Sequence, residues 1–407
     1  MTKINNNRRN LLAVALTRLI HGFGFDIFNV VYQPFLLELT NSILITGIIV
    51  SMGSIMQFLP MPLIGKISDK YQKKVLLVLS VIIYILGLSF LIISTPFTIY
   101  YALIGIMIYF LGFTLNNLNS QFVISENTNK SKGFIYGIMF FVFFTGRMGG
   151  SILIILAQWT EIRTYFLIFI FILAIEGLIY GILLSNRSKE SSLPNKILDS
   201  LNKKDNLWLK IFKTKNLRSI LIFFTLDILV YGLSLSIYNA GLRDFYFLTA
   251  ADIAILSLGF NLTNMLSQIP AGKITDKIGS KIALILSQIF GLGFFLMNIV
   301  AFFLWNNPIS NVIPILIIGY ICLALSVVTF VPAEQIILTD LGENRKAESY
   351  GIISFARGVA YIPMGFVAGL MVENLSYVSP FIFSIFGVFI EILFLLRFFH
   401  HHPQSIN

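Results

Sequence analysis

Long apolar runs, separated by short polar stretches, follow one another along most of the chain. They predict twelve helices, at residues 11–37, 43–64, 75–94, 98–124, 133–157, 163–185, 218–240, 251–272, 281–303, 309–337, 347–371 and 377–399. Every run reaches the roughly 20 residues that a helix needs to cross the hydrocarbon core of a bilayer. The apolar residues are continuous rather than alternating, which excludes membrane-spanning β-strands. The pattern therefore predicts an all-α membrane protein with twelve transmembrane helices.

The polar connection at residues 186–217 is the longest and divides the predicted helices into two groups of six. It is rich in Ser, Asn and Lys. We expect an N-terminal six-helix bundle at residues 1–185, a cytoplasmic linker at 186–217, a C-terminal six-helix bundle at 218–399 and a short tail at 400–407.

Two motifs recur in both halves of the chain. Residues 65–70 (Gly-Lys-Ile-Ser-Asp-Lys) return 207 positions later as residues 272–277 (Gly-Lys-Ile-Thr-Asp-Lys). The stretch 120–126 resembles the stretch 334–340, at an offset of 214. Because each half has an even number of crossings, two similar halves have parallel topology and are related by an axis along the membrane normal. The repeat predicts two pseudo-symmetric six-helix bundles.

Composition and charge placement agree with a membrane protein: 57% of the residues are hydrophobic, 12% are charged and the mean hydropathy is +0.84. A soluble domain cannot bury that much apolar surface. The net charge of +10 does not indicate a nucleic-acid partner, because the basic residues cluster in loops on one side of the membrane. Of 29 Lys and Arg residues, 24 lie in loops on the side of the termini, two (Arg163 and Arg243) on the opposite side and three (Arg18, Arg147 and Arg357) inside helices. The positive-inside rule then predicts cytoplasmic N- and C-termini, and we expect the plasma membrane.

The twelve spans, the long central loop and a G-x-x-x-D-(R/K)-x-x-x-(R/K) motif after spans 2 and 8 resemble the major facilitator superfamily along essentially the whole chain. Residues 18–24 in the first span (Arg-Leu-Ile-His-Gly-Phe-Gly) and the Gly149-Gly150 pair are similar to drug/proton antiporter-like prokaryotic members. The resemblance implies two six-helix bundles that rock about a central site and carry a small solute across the membrane.

The resemblance also implies a gate on the cytoplasmic side. Asp69 is then expected at the start of span 11, where an aspartate can accept hydrogen bonds from exposed N–H groups, and Lys70 and Lys74 are expected near Glu126. For Lys73 we favour the simpler alternative that it only obeys the positive-inside rule. The second copy is expected to mirror the first, and the complete set of gate residues is Gly65, Asp69, Lys70, Lys74, Glu126, Gly272, Asp276, Lys277 and Asp340.

Acids inside the predicted helices are the candidate proton-coupling groups, because a charge at mid-membrane is costly unless it is paired or hydrated. Asp26 lies about as deep in span 1 as Arg147 in span 5, and Asp227 and Arg357 match in spans 7 and 11. The superfamily arrangement makes these spans neighbours, so we expect two pairs, Asp26 with Arg147 and Asp227 with Arg357. There are two interpretations. Either each acid exchanges its arginine for a proton or a substrate anion during transport, or both ion pairs are permanent and structural. Glu334 has no arginine at its own depth in its own span, and it is a further candidate proton carrier.

Other polar side chains in the helices are candidates for the wall of a central cavity. Span 1 carries a polar stripe, roughly 140° wide at about 100° per residue, made of Arg18, His21, Asp26, Asn29 and Gln33. The predicted cavity residues are Arg18, His21, Asn29, Gln33, Asn117, Arg147, Tyr231, Asn261, Asn264, Arg357 and Tyr361. The amides can instead join helices, and the tyrosines can anchor at the membrane interface. Glu176 and Glu391, in spans 6 and 12, are expected to point inward as structural groups or to be protonated.

These features favour a secondary active transporter of a small solute, coupled to protons, with export of drug-like or amphipathic compounds ahead of uptake or exchange of an organic anion or a sugar derivative. Three intramembrane arginines favour the anion, and the Phe-rich composition favours the hydrophobic compound. A membrane sensor without transport is the alternative from another class. The chain has no phosphate-binding Gly-Lys-Ser/Thr loop and no nucleophile–base arrangement, so neither an ATP-driven pump nor an enzyme is expected. The expected partners are the solute, protons and membrane lipids, for a monomer without cofactor or metal.

Overall fold

The computed structural model describes residues 2–127, 132–159, 161–185, 215–305, 312–341 and 346–398. Its α-helices are, in chain order, α1 (Thr2–Thr40), α2 (Ile43–Phe58), α3 (Met61–Lys70), α4 (Lys73–Ile93), α5 (Ile99–Asn127), α6 (Lys132–Ala157), α7 (Ile162–Leu183), α8 (Lys215–Leu235), α9 (Tyr238–Tyr246), α10 (Ala250–Ile278), α11 (Ser280–Phe303), α12 (Ile313–Leu341), α13 (Lys346–Tyr361), α14 (Met364–Asn374) and α15 (Ser379–Phe398). A 3-10 turn at Pro96–Thr98 precedes α5, and the described ranges contain no β-strand.

The chain crosses the membrane twelve times, because α2 with α3, α8 with α9 and α13 with α14 each form one crossing. Eleven crossings in the described part of the chain are long and apolar enough to span a bilayer, and α10, with 29 residues, is the twelfth. The protein is therefore an integral membrane protein, and the predicted all-α fold of twelve helices in two six-helix bundles is confirmed. We call the side at which α1 begins and α15 ends the terminus side, and the opposite side the far side.

Three crossings that the sequence predicts as continuous helices are broken. In two of them a proline, Pro60 or Pro363, stands immediately before the second helix. A proline provides no N–H for the helical ladder. The third break, at Ser236–Ile237, has no proline. The predicted spans at 43–64, 218–240 and 347–371 are thus present, and each contains a break.

Both copies of the repeated motif, which lie at the ends of the predicted spans 2 and 8, are helical. Residues 65–70 belong to α3, and residues 272–277 belong to the last two turns of α10. A helix satisfies its own backbone groups, so it can continue past the apolar core while its charged side chains reach the headgroup region. The α3 helix packs against α13 and α10 packs against α6, which are the neighbours that the gate prediction requires.

The N-terminal bundle packs α1 against α5, α6 and α7, with α4 against α5 and α7. A cluster of fully buried rings fills its centre, with Phe28 stacked on Tyr109 at 3.7 Å between ring centroids and Tyr84 at 5.0 Å from Tyr109. The α1 and α6 helices touch backbone to backbone, because a Cβ at Gly146 would overlap the Leu19 carbonyl group. Aromatic packing and glycine contacts therefore fix α1, which carries five of the candidate polar residues.

The C-terminal bundle packs α8 against α13 and α15, and α11 against α12 and α15. The two bundles meet where α2 contacts α14, α6 contacts α10 and α1 contacts α9. On the far side a Cβ at Gly47 would overlap the Gly365 carbonyl oxygen. The backbones of the two bundles are thus in direct contact there.

Candidate functional site: a cavity between the bundles

A cavity of about 330 Å³ lies between the two bundles. Its wall is rich in aromatic side chains, which are Phe25, Tyr32, Phe110, Phe113, Tyr238, Phe260, Tyr320 and Tyr361. Four amides and two hydroxyl groups supply hydrogen-bonding positions, from Asn29, Gln33, Gln57, Asn239, Ser54 and Ser257. Arg147 is the charged residue among the lining side chains. Of the predicted cavity residues, the structure therefore places Asn29, Gln33, Arg147 and Tyr361 at the wall.

Asp26 forms the ion pair with Arg147 that the sequence predicts. The Asp26 side chain is fully buried, and its Oδ1 accepts from Arg147 Nη2 at 2.9 Å and Nε at 3.0 Å. Ser151 in α6 donates to Oδ2. From the other bundle, Ser257 Oγ and Asn261 Nδ2 in α10 each donate to Oδ1 at 2.9 Å. One buried carboxylate is thus bonded to both bundles at the edge of the cavity.

Three phenylalanine rings surround the Arg147 guanidinium. Its Cζ lies 5.5 Å from the ring centroids of Phe25 and Phe144 and 5.4 Å from that of Phe260. A cation over the face of an aromatic ring is stabilised by the ring quadrupole. Because Asp26 neutralises Arg147, the cavity wall offers rings and amides but no uncompensated charge.

A second charge cluster lies in the C-terminal bundle. Arg357 Nη2 is 3.7 Å from Asp227 Oδ2, as predicted, and Arg357 Nη1 donates to Glu334. Gln288 Nε2 donates to Asp227 at 3.0 Å. Glu334 has no arginine in its own span, and its partner Arg357 comes from another span. Two carboxylates share one guanidinium, so this cluster can accept a proton without losing its ion pair.

Replacing Arg357 with Gln should destabilise the protein strongly, because it leaves two buried carboxylates without their cation. Removing one member of a buried ion pair typically costs about 3–5 kcal/mol. We expect a lower thermal unfolding midpoint for Arg357→Gln, with a smaller decrease for Glu334→Gln. Arg397→Gln is the matched control, because Arg397 is exposed at the end of α15. Equal midpoints for Arg357→Gln and the wild type would contradict a stabilising cluster.

A third cluster lies inside the N-terminal bundle. His21 Nδ1 is 2.9 Å from Glu176 Oε2, and Asn116 Nδ2 donates to Glu176 Oε1 at 3.1 Å. The His21 ring contacts Tyr84 and Phe143. His21 therefore faces the bundle interior and, contrary to the prediction, it does not line the cavity. Glu176 points inward, as expected for this span.

The remaining predicted cavity residues lie away from the wall. Arg18 donates to Ser120 in α5, and Asn264 donates to the Phe260 carbonyl in its own helix. Asn117 accepts a hydrogen bond from Gln121 in its own helix. Tyr231 contacts Gln288 and Ser326 inside the C-terminal bundle. The remaining members of the set, Asn261 and Arg357, belong to the two charge clusters described above.

On the far side, polar contacts join the two bundles. Gln33 Oε1 accepts from the backbone N–H groups of Asn239 and Ala240 at 2.8 and 3.2 Å, and its Nε2 donates to the Ser236 carbonyl at 2.9 Å. The Gln33 side chain thus satisfies the backbone where α8 ends and α9 begins. Arg243 forms an ion pair with Glu38 across the same interface at 3.1 Å. The far side is therefore closed.

The structure describes the predicted gate only in part. Lys73, rather than Lys70 or Lys74, approaches Glu126, with 3.9 Å between Nζ and Oε1. Within the described chain, Lys70, Lys74 and Lys277 make no ion pair. A Cβ at Gly272 would meet no atom within 4 Å, so close packing does not require this glycine. The side chains of three predicted gate residues lie outside the described part of the chain, namely those of Asp69, Asp276 and Asp340.

Sequence reasoning missed several wall residues. Tyr32, Gln57, Asn239 and Tyr320 face the cavity. In the sequence, Gln57 and Tyr320 are single polar groups in apolar runs, whereas Tyr32 and Asn239 stand beside other polar residues. Their direction depends on the rotation of each helix in its bundle, which no short motif encodes. An isolated amide such as Gln57 was the available signal, because an amide that faces lipid is costly.

The family model described as Major Facilitator Superfamily matches residues 14–251 and 228–406. No curated protein matches the chain. Among solved structures, the nucleoside transporter NupG is 15% identical with a TM-score of 0.71, covering 97% of this chain and 100% of that one. The human organic anion transporter MFSD10 is 14% identical with a TM-score of 0.70, covering 96% and 99%. A POT family transporter in complex with 5-aminolevulinic acid is 12% identical with a TM-score of 0.73, covering 95% of each chain. At these identities, the likeness shows the fold.

Proposed function

Because this chain belongs to the major facilitator superfamily, we propose that it is a secondary transporter whose solute binds in the central cavity and whose proton binds at Asp26. The observation that carries the proposal is the position of the Asp26 carboxylate, which accepts hydrogen bonds from α6 in one bundle and from α10 in the other. A change in the charge of this one group therefore acts on the interface between the bundles.

The coupling follows from the contacts of Asp26. In the described state its charge is balanced by Arg147 and by hydrogen bonds from Ser257 and Asn261. When the bundles rock apart along α10, the carboxylate loses the hydrogen bonds from Ser257 and Asn261, and a proton can take their place. A proton on Asp26 in turn weakens the contact with α10. Proton binding and bundle separation thus favour each other, as linkage requires.

The cavity wall favours an amphipathic solute with a flat apolar part. Aromatic side chains stack on planar groups, and the Asn29, Gln57 and Asn239 amides can donate to or accept from polar edges. The structurally similar NupG and MFSD10 are described as nucleoside and organic anion transporters. We propose export of such compounds, and uptake or exchange of an organic anion or sugar derivative is the alternative.

The same proposal includes the orientation of the protein in the membrane and the residue bounds of its two bundles. We propose that the terminus side faces the cytoplasm, because the loops on that side hold the excess of basic residues, and that the protein is a monomer in the plasma membrane. We further propose that the two bundles comprise residues 1–185 and 218–399. Residues 186–214 and 399–407 lie outside the described chain.

Transport in reconstituted vesicles tests the proposal. With a pH gradient imposed across proteoliposomes, adding the solute should start a proton flux that empty liposomes lack. The solute is chosen by screening amphipathic aromatic compounds for thermal stabilisation of the purified protein, since a ligand that binds the folded state raises its stability. A stabilising compound that causes no flux under any gradient would favour the membrane sensor instead.

A further inference from the structure

Arg18 is the intramembrane arginine that lacks an acid. Arg147 and Arg357 each contact a carboxylate within 4.0 Å, whereas in the described chain no carboxylate lies that close to Arg18. Its guanidinium makes one hydrogen bond, from Nη2 to Ser120 Oγ at 2.9 Å. The buried Nε has no partner. Because a guanidinium has five N–H donors, most of its hydrogen-bonding capacity is unused.

Glu176, a buried acid in the same bundle as Arg18, is engaged elsewhere. Glu176 accepts hydrogen bonds from His21 and Asn116, and both of these side chains are buried. An unpaired cation inside a membrane-spanning helix is costly, and such residues commonly serve a ligand or ion path. Arg18 is therefore a candidate for binding an anion.

Arg18 lies on the face of α1 that lines the cavity. At about 100° per residue, Arg18, Phe25 and Asn29 fall within roughly 40° of one another, and Arg18 lies about 10 Å closer to the terminus side than Phe25. Phe143 connects the two levels, because its ring centroid is 5.8 Å from that of Phe25 and 5.9 Å from Arg18 Cζ. The Arg18 side chain keeps some exposure while its Nε is buried.

We propose that Arg18 is a binding subsite for an oxyanion, the carboxylate or phosphate group of the transported solute, on the route between the central cavity and the terminus side. The planar guanidinium matches such groups with two parallel hydrogen bonds. Ser120 orients the guanidinium from one edge, which leaves the remaining N–H groups for the anion.

This inference rests on the proposed function, because it assigns the solute to organic anions. It also explains how an anion can enter a cavity whose own charges cancel. The anion is held by Arg18 below the ring of Phe143, and its apolar part then enters the aromatic cavity as the bundles rock.

Anion binding to the purified, lipid-free protein in a neutral detergent tests the subsite without turnover. Benzoate and inorganic phosphate are the probes, with chloride at equal ionic strength as reference, and affinity is read from the rise of the unfolding midpoint. We expect Arg18→Gln to weaken binding of at least one probe by about tenfold or more, as the loss of a charged hydrogen-bonding partner does. The affinity of Arg18→Lys should lie between those of the wild type and Arg18→Gln. The affinity of Arg8→Gln, which changes an exposed residue of the same helix, should equal that of the wild type.

A second measurement needs no variant. Benzoate should protect Arg18 of the wild type from modification by phenylglyoxal, as measured by mass spectrometry of the peptide. Equal affinities in Arg18→Gln and the wild type, absence of protection, or an Arg18-dependent retention of anionic phospholipid without any benzoate effect would each overturn the subsite. Binding through Arg18 together with no flux in proteoliposomes would instead contradict the proposed function and leave the anion site intact.

Discussion

Asp26→Asn should abolish proton-driven transport and should be the most damaging single change in the cavity. It removes the group that takes up the proton, and it leaves the largely buried Arg147 side chain without its counter-charge. Breaking a buried ion pair from one side costs about 3–5 kcal/mol, which corresponds to a factor of about 100 to 1,000 or more. We expect proton flux in proteoliposomes to fall below one hundredth of the wild-type rate.

The double variant Asp26→Asn with Arg147→Gln separates coupling from stability. It removes the uncompensated arginine, so the protein should regain thermal stability while proton-driven transport stays absent. Asp244→Asn is the matched control, because the same chemical change is made on an exposed carboxylate of α9. Normal proton coupling in Asp26→Asn together with its loss in Glu334→Gln would move the coupling site to the second charge cluster.

Gly47→Ala should stop transport by preventing the two bundles from closing on the far side. A Cβ at this position would overlap the Gly365 carbonyl oxygen, while each bundle keeps its own packing. Overpacking typically costs about 1–3 kcal/mol, so the population of the closed state should fall by roughly 5- to 150-fold. The variant should therefore be held open on the far side and should show a correspondingly low solute flux.

Thiol labelling measures this shift. The variant Asn29→Cys places a thiol in the cavity wall, in a background where Cys322, the one native cysteine, is Ser. A membrane-impermeant maleimide added outside intact cells should label this thiol faster in Gly47→Ala than in its parent. Gly181→Ala is the control, since a Cβ at Gly181 meets no atom within 4 Å. Unchanged labelling and flux in Gly47→Ala would show that the glycine contact does not control closure.

The sequence predicts the number of crossings and the bundle architecture, because hydropathy and repeats are properties of the chain in one dimension. It also predicts the pair of Asp26 and Arg147, since equal depth and neighbouring helices leave few other partners. The sequence does not predict the contact between Arg357 and Glu334. Depth in the membrane pairs Arg357 with Asp227, and the arginine that reaches Glu334 comes from another span.

The polar stripe of α1 does not by itself predict which of its side chains face the cavity. His21 and Asp26 lie at opposite edges of a stripe that is roughly 140° wide, so they cannot both face one cavity. The structure turns His21 toward Glu176 and leaves Asn29 and Gln33 at the cavity wall. The choice depends on a carboxylate in α7, which is 155 residues away in the chain. The periodicity of α1 alone does not reveal this contact, because it forms only when α1 packs against α7.

The break at Ser236–Ile237 determines where water must enter when the far side opens. The peptide groups at this break are satisfied by Gln33, a side chain that belongs to the opposite bundle. Once the bundles separate on the far side, these groups lose that partner and must be hydrated, because unsatisfied peptide groups are costly in a membrane interior. Opening therefore requires water to hydrate the peptide groups between α8 and α9, which Gln33 satisfies only while the far side is shut.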